Sequence, residues 1–265
     1  MDMKQLLVTG AGGGMGSAVC RKLAEEGIKV WGLDLKEPDS FPGVGFLHAD
    51  LTRTEDLQAA ADRVRAEAGT LDGIIHAAGI YDLNSLVEMP EEDFRRDFDV
   101  NLFGMFRINR LFMPLLSPGA RIVIVSSELA PLHPLPFTGI YAVTKTAVEQ
   151  YAAALRMELQ LLGYQVTVIR PGAVNTGMLP VSTGKLEDFC EETKLYTCNA
   201  KRFRSIVQRV EARNIPPEKI AGVICPALSA SRPRPVYNVN RNPLLLLMNA
   251  LPKRVQLGIV RKILS

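Results

Sequence analysis

Cysteine and histidine are scarce in this 265-residue chain, and both are scattered. Cys20, Cys190, Cys198 and Cys225 include no CxxC pair, and His48, His76 and His133 stand alone. Nothing has metal-ligand spacing, so no metal is expected, and the cysteines read as reduced thiols of a cytosolic protein. Long apolar runs are missing too: none reaches the roughly 18–20 residues of a membrane span. The N-terminus enters an apolar strand almost at once, without a signal-peptide layout. Charge of one sign is also lacking. The 31 Lys and Arg against 28 Asp and Glu leave a net +3, and no basic stripe interleaves with aromatics, so nucleic acid is not expected as a partner. With 47% apolar and 22% charged residues, the composition is that of a soluble globular protein. The length suits one large α/β domain over residues 1–265 better than two.

What is present is alternation. Lys4–Gly10 reads as a buried strand, Met15–Glu26 as a helix and Ile28–Asp34 as the next strand, a βαβ unit. Thr54–Glu67 has helical spacing with Thr54 at the N-cap position. Leu71–Ala77 is strand-like, and Pro90 opens a helix expected to run to about Leu116. Arg121–Val125 is a strand, Tyr141–Leu162 a helix and Gln165–Ile169 another strand. Strands alternating with helices predict a doubly wound, Rossmann-type parallel sheet. The irregular stretch at about 177–213 reads as an inserted helical lid over the carboxyl edge of that sheet.

The first strand is followed by Thr9-Gly10-Ala11-Gly12-Gly13-Gly14-Met15-Gly16. Glycines between strand and helix let the backbone approach a pyrophosphate, and the helix N-terminus offers free N–H groups. The placement gives the motif its weight; the absence of a terminal lysine argues against a Walker A site. Asp34 ends the second strand, where a carboxylate accepts from an adenosine ribose and repels a 2′-phosphate. NAD is therefore favoured over NADP, with a plain strand-end residue the competing reading.

Tyr141-Ala142-Val143-Thr144-Lys145 places an ammonium one helical turn from a phenol. A tyrosine near its reference pKa of about 10 is a poor base, and the neighbouring cation is expected to lower that value. The pair could then pass a proton while a cofactor carries the hydride. In isolation such spacing is common; here it follows a strand ending Val125-Ser126-Ser127.

In this ordered set the chain resembles the short-chain dehydrogenase/reductase family, in its compact branch. The set comprises the glycine loop, Asp34, Asp50-Leu51-Thr52, His76-Ala77-Ala78-Gly79, Asn101, Ser127, Tyr141/Lys145 and Pro171-Gly172-Ala173-Val174-Asn175-Thr176. The resemblance implies Tyr141 as general acid/base, Ser127 orienting the substrate oxygen and Lys145 also holding the nicotinamide ribose. It implies Asn101 supporting a relay water, an ordinary helical asparagine being the other reading. Gly10, Gly13, Gly14, Met15 and Gly16 would hold the pyrophosphate, and Asp50 and Leu51 would lie by the adenine, with Ala77 and Gly79 in the same cleft. Val174 and Thr176 would contact the carboxamide. Two departures stand out: NNAG has become HAAG, with His76 read as structural, and Ser127 lies one residue further from Tyr141 than is usual, leaving Ser126 as the alternative.

The loop between them is proline-rich and apolar, and His133 within it faces either substrate or solvent. The lid carries Met178, Leu179, Leu186, Phe189, Leu195 and Tyr196, which suits a hydrophobic, steroid-like secondary alcohol or ketone. The C-terminus resembles that of steroid- and retinol-type members. The expected function is NAD-dependent interconversion of such an alcohol and ketone. The alternatives are a reductase of acyl or sugar intermediates and a non-catalytic NAD-binding regulator. A homodimer or homotetramer is expected through the two long helices, whose apolar residues exceed one face: Phe103, Phe106, Leu111 and Phe112, then Val148, Tyr151, Leu155 and Leu159. The tail, about 241–265, has five cations and no acid. It reads as packing at a subunit interface or beside the substrate entrance, or as peripheral membrane contact by an otherwise cytoplasmic protein.

Overall fold

In a computed structural model the chain is described over residues 3–37, 42–211 and 213–265, with the side chains of 178–183, 210 and 211 left out. The expected lid side chains of Met178 and Leu179 thus lie outside the described residues. Seven strands form one parallel sheet: β1 (Gln5–Thr9), β2 (Lys29–Asp34), β3 (Val44–His48), β4 (Leu71–His76), β5 (Leu116–Val125), β6 (Gln165–Pro171) and β7 (Val236–Val239). Their spatial order is β3-β2-β1-β4-β5-β6-β7. The helices are α1 (Gly14–Glu25), α2 (Thr54–Glu67), α3 (Glu91–Phe98), α4 (Gly104–Phe112), α5 (Gly139–Leu159), α6 (Met178–Glu192), α7 (Thr197–Glu211), α8 (Pro217–Ser229), α9 (Pro243–Ala250) and α10 (Lys253–Leu264).

Period-two alternation divides each strand's side chains between two cores. Leu6, Val8, Ile75, Val123 and Val125 pack with Val19 and Leu23 of α1 and with Ile220 and Ile224 of α8. Leu7, Ile74, Ile122 and Ile124 pack on the opposite face with Leu57 of α2, Phe112 of α4 and Val148 of α5. Both faces are covered, which is the doubly wound architecture expected. A third core joins Leu186 and Phe189 of α6 and Phe203 and Val207 of α7 to Phe137 and to Leu264 of α10. The stretch read as irregular is therefore two helices with their own apolar seam.

The expected helix Pro90–Leu116 is broken. After α3 the chain makes a π-helical turn at Asp99–Phe103, resumes as α4, tightens into a 3₁₀ turn at Met113–Leu115 and enters β5 at Leu116. Pro114 within the 3₁₀ turn cannot donate to a continuing helix. Thr54 is the first helical residue rather than the cap. The turn before it is held by Asp50, whose Oδ1 accepts from the Thr52 N–H and hydroxyl, both at 2.8 Å. Of the apolar residues expected to pair subunits, Phe112, Val148 and Leu159 are buried within the chain, whereas Phe103 and Phe106 are exposed. Cys20, Cys190 and Cys225 are buried, Cys198 is exposed and all four are free.

Candidate active site

The chain reverses direction of travel across the sheet between β1 and β4, and a cleft opens at their carboxyl ends, where doubly wound sheets bind ligands. It encloses about 440 Å³. Its floor is the glycine loop: Gly10, Gly13, Gly14, Met15 and Gly16 all line it. Gly10 has φ +75°, and a Cβ there would lie 2.6 Å from the Ala78 backbone nitrogen, so no other residue fits. Asp34 stands at one end. Its Oδ2 accepts from Gly12 N–H and its Oδ1 from Lys36 N–H, both at 3.0 Å. These neutral donors fix the carboxylate without cancelling its charge. Asp50 and Leu51 line the same end, Ala77 and Gly79 the middle, and Thr176 the far wall. The expected cofactor residues thus converge, with Val174 set deeper, in the adjoining cavity.

That cavity, about 140 Å³, lies between Ser127, Tyr141, Lys145 and the β6 end at Gly172 and Val174. Tyr141 and Lys145 stand one turn apart on α5, and the Lys145 ammonium lies 5.8 Å from the Tyr141 ring centroid. It donates to the Val125 carbonyl at 3.2 Å. Tyr141 is hydrogen-bonded to the Ser127 side chain. The Ser127 hydroxyl also accepts from Leu129 N–H at 3.2 Å, whereas the Ser126 hydroxyl is buried without a partner. The extra residue before Tyr141 is absorbed by the loop, and Ser127 rather than Ser126 meets the phenol.

The expected lowering of the Tyr141 pKa is overturned: burial pushes it up to about 12, with the Ser127 hydrogen bond pulling the other way. Burial also brings Lys145 down to about 8, partly opposed by Glu149. Desolvation is the largest cause for both groups. At neutral pH the site therefore holds a protonated phenol beside an ammonium.

Asn101 sits in the π-helical turn. Its Oδ1 accepts from Ile80 N–H at 2.8 Å, and its Nδ2 donates to the Ile80 carbonyl at 3.0 Å and to the Thr144 hydroxyl at 3.1 Å. It ties the β4 exit to α5. Both side-chain donors are spent on protein, so the residue meets a water only through an acceptor oxygen. A Cβ on Gly79 would stand 3.0 Å from that Oδ1 and 3.3 Å from the Lys145 Nζ, so glycine keeps this junction open. His76 is buried, bonds the Asn109 Oδ1 at 2.9 Å and is lowered to about 4 by desolvation. It is a neutral structural residue.

Sequence reasoning missed several neighbours. The Tyr81 ring packs edge-on against Tyr141, with centroids 4.4 Å apart. Phe137 has φ +63°, a conformation bulky residues avoid. It is held there against Phe189, Tyr196 and Phe203 at 4.9–5.4 Å, fastening the loop before Tyr141 to α6 and α7. His133 takes neither of its expected roles alone. Exposed on the rim of a groove, its Nδ1 pairs with the Gln256 Oε1 at 3.1 Å and its N–H donates to the Asn249 Oδ1 at 2.7 Å. That groove, about 640 Å³, runs between the proline-rich loop and α9–α10. Leu245 lines both it and the Tyr141 cavity.

Beside Tyr81 in the chain, Asp82 bonds Lys185 of α6 and, at 3.2 Å, Arg96. Neighbouring Asp97 has no exposed surface and no hydrogen-bond partner for either carboxylate oxygen. Burial first, then the Asp82 charge, pushes its pKa up to about 7. A raised carboxyl pKa means the folded state binds the proton more tightly than the unfolded chain. Its stabilising effect is full below the ordinary aspartate range and is lost as pH rises to about 7. Asp97→Asn, neutral at every pH, is expected to raise Tm at alkaline pH by on the order of 5 °C and to change it little at acid pH. Calorimetry across that range checks this; an equal shift at both ends would contradict the buried-proton reading.

Among the described residues no three potential ligands cluster as a metal site. The family described as short chain dehydrogenase matches residues 4–186. A 3-ketodihydrosphingosine reductase of Bacteroides thetaiotaomicron is 26% identical over 96% of this chain and 93% of its own length. An NADPH-dependent 3-dehydrocapnine reductase of Ornithobacterium rhinotracheale is also 26% identical, over 96% and 94%. In fold, a short chain dehydrogenase from Burkholderia cenocepacia solved in complex with NADP superposes with a TM-score of 0.75 at 22% identity, over 99% of this chain and 98% of that one. With the seven-stranded sheet, the switch-point cleft and the ordered motifs, these matches make the chain an oxidoreductase of the short-chain dehydrogenase/reductase family.

Proposed function

We propose that this enzyme reduces a hydrophobic ketone to a secondary alcohol, and reverses that step, with NAD as hydride carrier. One observation carries the reading: the Ser127–Tyr141–Lys145 cavity shares Ala77, Gly79 and Thr176 with the glycine-floored cleft on one side and Leu245 with an apolar groove on the other. The cleft fits a dinucleotide, since its glycine floor leaves room for a backbone-bound pyrophosphate and Asp34 waits at the ribose end. A bound nicotinamide supplies or takes the hydride. Ser127 and Tyr141 grip the carbonyl oxygen, and the phenol, protonated at neutral pH, gives its proton as the alcohol forms. Lys145 supplies positive charge beside the phenolate left behind, and Asn101 keeps the β4 exit and α5 in register. Val174 and Thr176, which line the cavity, would contact the carboxamide of a bound nicotinamide.

The groove walls include Leu86, Val87, Pro134, Leu135 and Phe137 with Leu257 and Val260. An apolar wall of this extent favours a steroid-like or long-chain ketone over a sugar. The relatives named as reductases support the reductive direction.

NADPH is the second reading, favoured by Lys36 in the cleft beside Asp34. Comparing kcat/KM for NADH and NADPH over steroid, long-chain, acyl-thioester and sugar ketones tests the whole proposal. The expected result is turnover of an apolar ketone with a preference for NADH. Asp34→Ala is expected to shrink that preference by about tenfold or more, the effect of removing a like charge worth ~1.4 kcal/mol from the 2′ position. An unchanged cofactor ratio would mean that another residue reads this position, and turnover of sugars alone would contradict the apolar substrate.

A further inference from the structure

α9 carries no buried residue. Pro243, Leu244, Leu247 and Ala250, at helical spacing, form an exposed apolar face, with Leu244 59% and Leu247 62% accessible. On α10, Gln256 and Leu264 turn inward, while Leu257 is 70% accessible. Just before α9 and along α10, Arg241, Lys253, Arg254, Arg261 and Lys262 are all exposed, and residues 241–265 contain no acid. The apolar groove opens between these same helices: Leu245 and Met248 of α9 and Leu257 and Val260 of α10 line it.

We propose that α9 and α10 dock on an anionic lipid surface, so that the groove mouth opens at the bilayer and an apolar substrate passes from it past Leu245 to Tyr141. The occupant follows from charge. A second copy packed on this face through a two-fold axis would set the cations of one tail against those of the other, with only Arg241, among the described residues, near a side-chain carboxylate of its own chain, Glu128. Anionic headgroups would neutralise them while the leucines enter the acyl boundary. The helices lie on the surface and do not cross it: among the described residues no helix is long and apolar enough to span. Docking is independent of the reaction assigned above; the substrate route rests on it.

Co-sedimentation of the full chain separates the two. With vesicles of mixed phosphatidylglycerol and phosphatidylcholine at low salt the protein is expected in the pellet. Pure phosphatidylcholine should lower the partition strongly, at about fivefold for each cation engaged, as should about 1 M salt, which screens charge beyond a few ångström. Leu244→Ser with Leu247→Ser should lower binding about tenfold or more while leaving turnover of a short, water-soluble ketone unchanged, since neither residue lines the groove. No pelleting of the full chain with the anionic vesicles at low salt would overturn the proposal. So would binding that the double variant leaves intact. Light scattering that shows the double variant turning a dimer into a monomer, without any vesicle binding, would assign the face to a subunit contact instead.

Discussion

Tyr141→Phe is expected to lower kcat by about 10²–10⁴-fold, the range for loss of a positioned general acid, and to lower kcat/KM equally. The phenol is the one proton donor in the cavity that is bonded to Ser127 and charge-flanked by Lys145. Phenylalanine keeps the edge-on packing with Tyr81, so Tm and NADH affinity should barely change. Transient kinetics with the best ketone, together with fluorescence titration of NADH, separates chemistry from binding. A variant with near-normal kcat would remove Tyr141 from the proton path.

Lys145→Met is expected to cost both turnover and cofactor affinity. A charge-assisted hydrogen bond is worth ~1.5–3 kcal/mol, so NADH should bind about ten- to a hundredfold more weakly, and the phenolate left after proton donation loses its neighbouring charge. The same substitution acts oppositely on stability. Burial holds the Lys145 pKa at about 8, so above that pH the folded cofactor-free protein binds fewer protons than the unfolded chain, and its stability rises toward the ordinary lysine range. At neutral pH the buried ammonium is a cost, offset in part by its bond to the Val125 carbonyl. The variant should therefore melt at or above the wild-type temperature at pH 7 while being nearly inactive. A marked loss of Tm would mean that the lysine holds the fold together and that the activity loss is indirect.

The fold was legible where burial is two-sided. β1, β4, β6 and the Ile122–Val125 end of β5 each carry a short, mostly apolar buried block because helices cover both faces, and the glycine loop announces the first crossover. The edge strands were not legible. β3 is mostly half-buried and β7 has only four residues; with solvent beside them, neither needs an apolar run. The π-helical turn at Asp99–Phe103 was hidden for another reason. It coincides with the bonds from Asn101 to Ile80 and Thr144, contacts between segments far apart in the chain, and α3 and α4 on either side carry ordinary helical periodicity.

At the site, the candidate residues were legible from the order of their motifs along the chain, since the Tyr141/Lys145 spacing alone is common. Their electrostatics were not. The direction of the Tyr141 shift depends on how completely α5, Tyr81 and the β6 end exclude water, and no spacing rule encodes that. Phe137 shows the same limit: its positive φ comes from three aromatic neighbours on α6 and α7, which no local pattern announces. Leu245 belongs to a tail for which the sequence left a subunit interface, the substrate entrance and a membrane surface open, and the fold sets it on the wall of the Tyr141 cavity.

The central claim is that hydride passes between a nicotinamide cofactor and a carbonyl carbon held by Ser127 and Tyr141. NADH deuterated at the nicotinamide C4, incubated with the enzyme and an apolar ketone, tests it directly by mass spectrometry of the product. Deuterium from one face of the cofactor should appear on the carbinol carbon of the alcohol, and Tyr141→Phe should suppress its appearance without preventing cofactor binding. Alcohol formed without deuterium at that carbon, or equal labelling by the Tyr141→Phe protein, would contradict it.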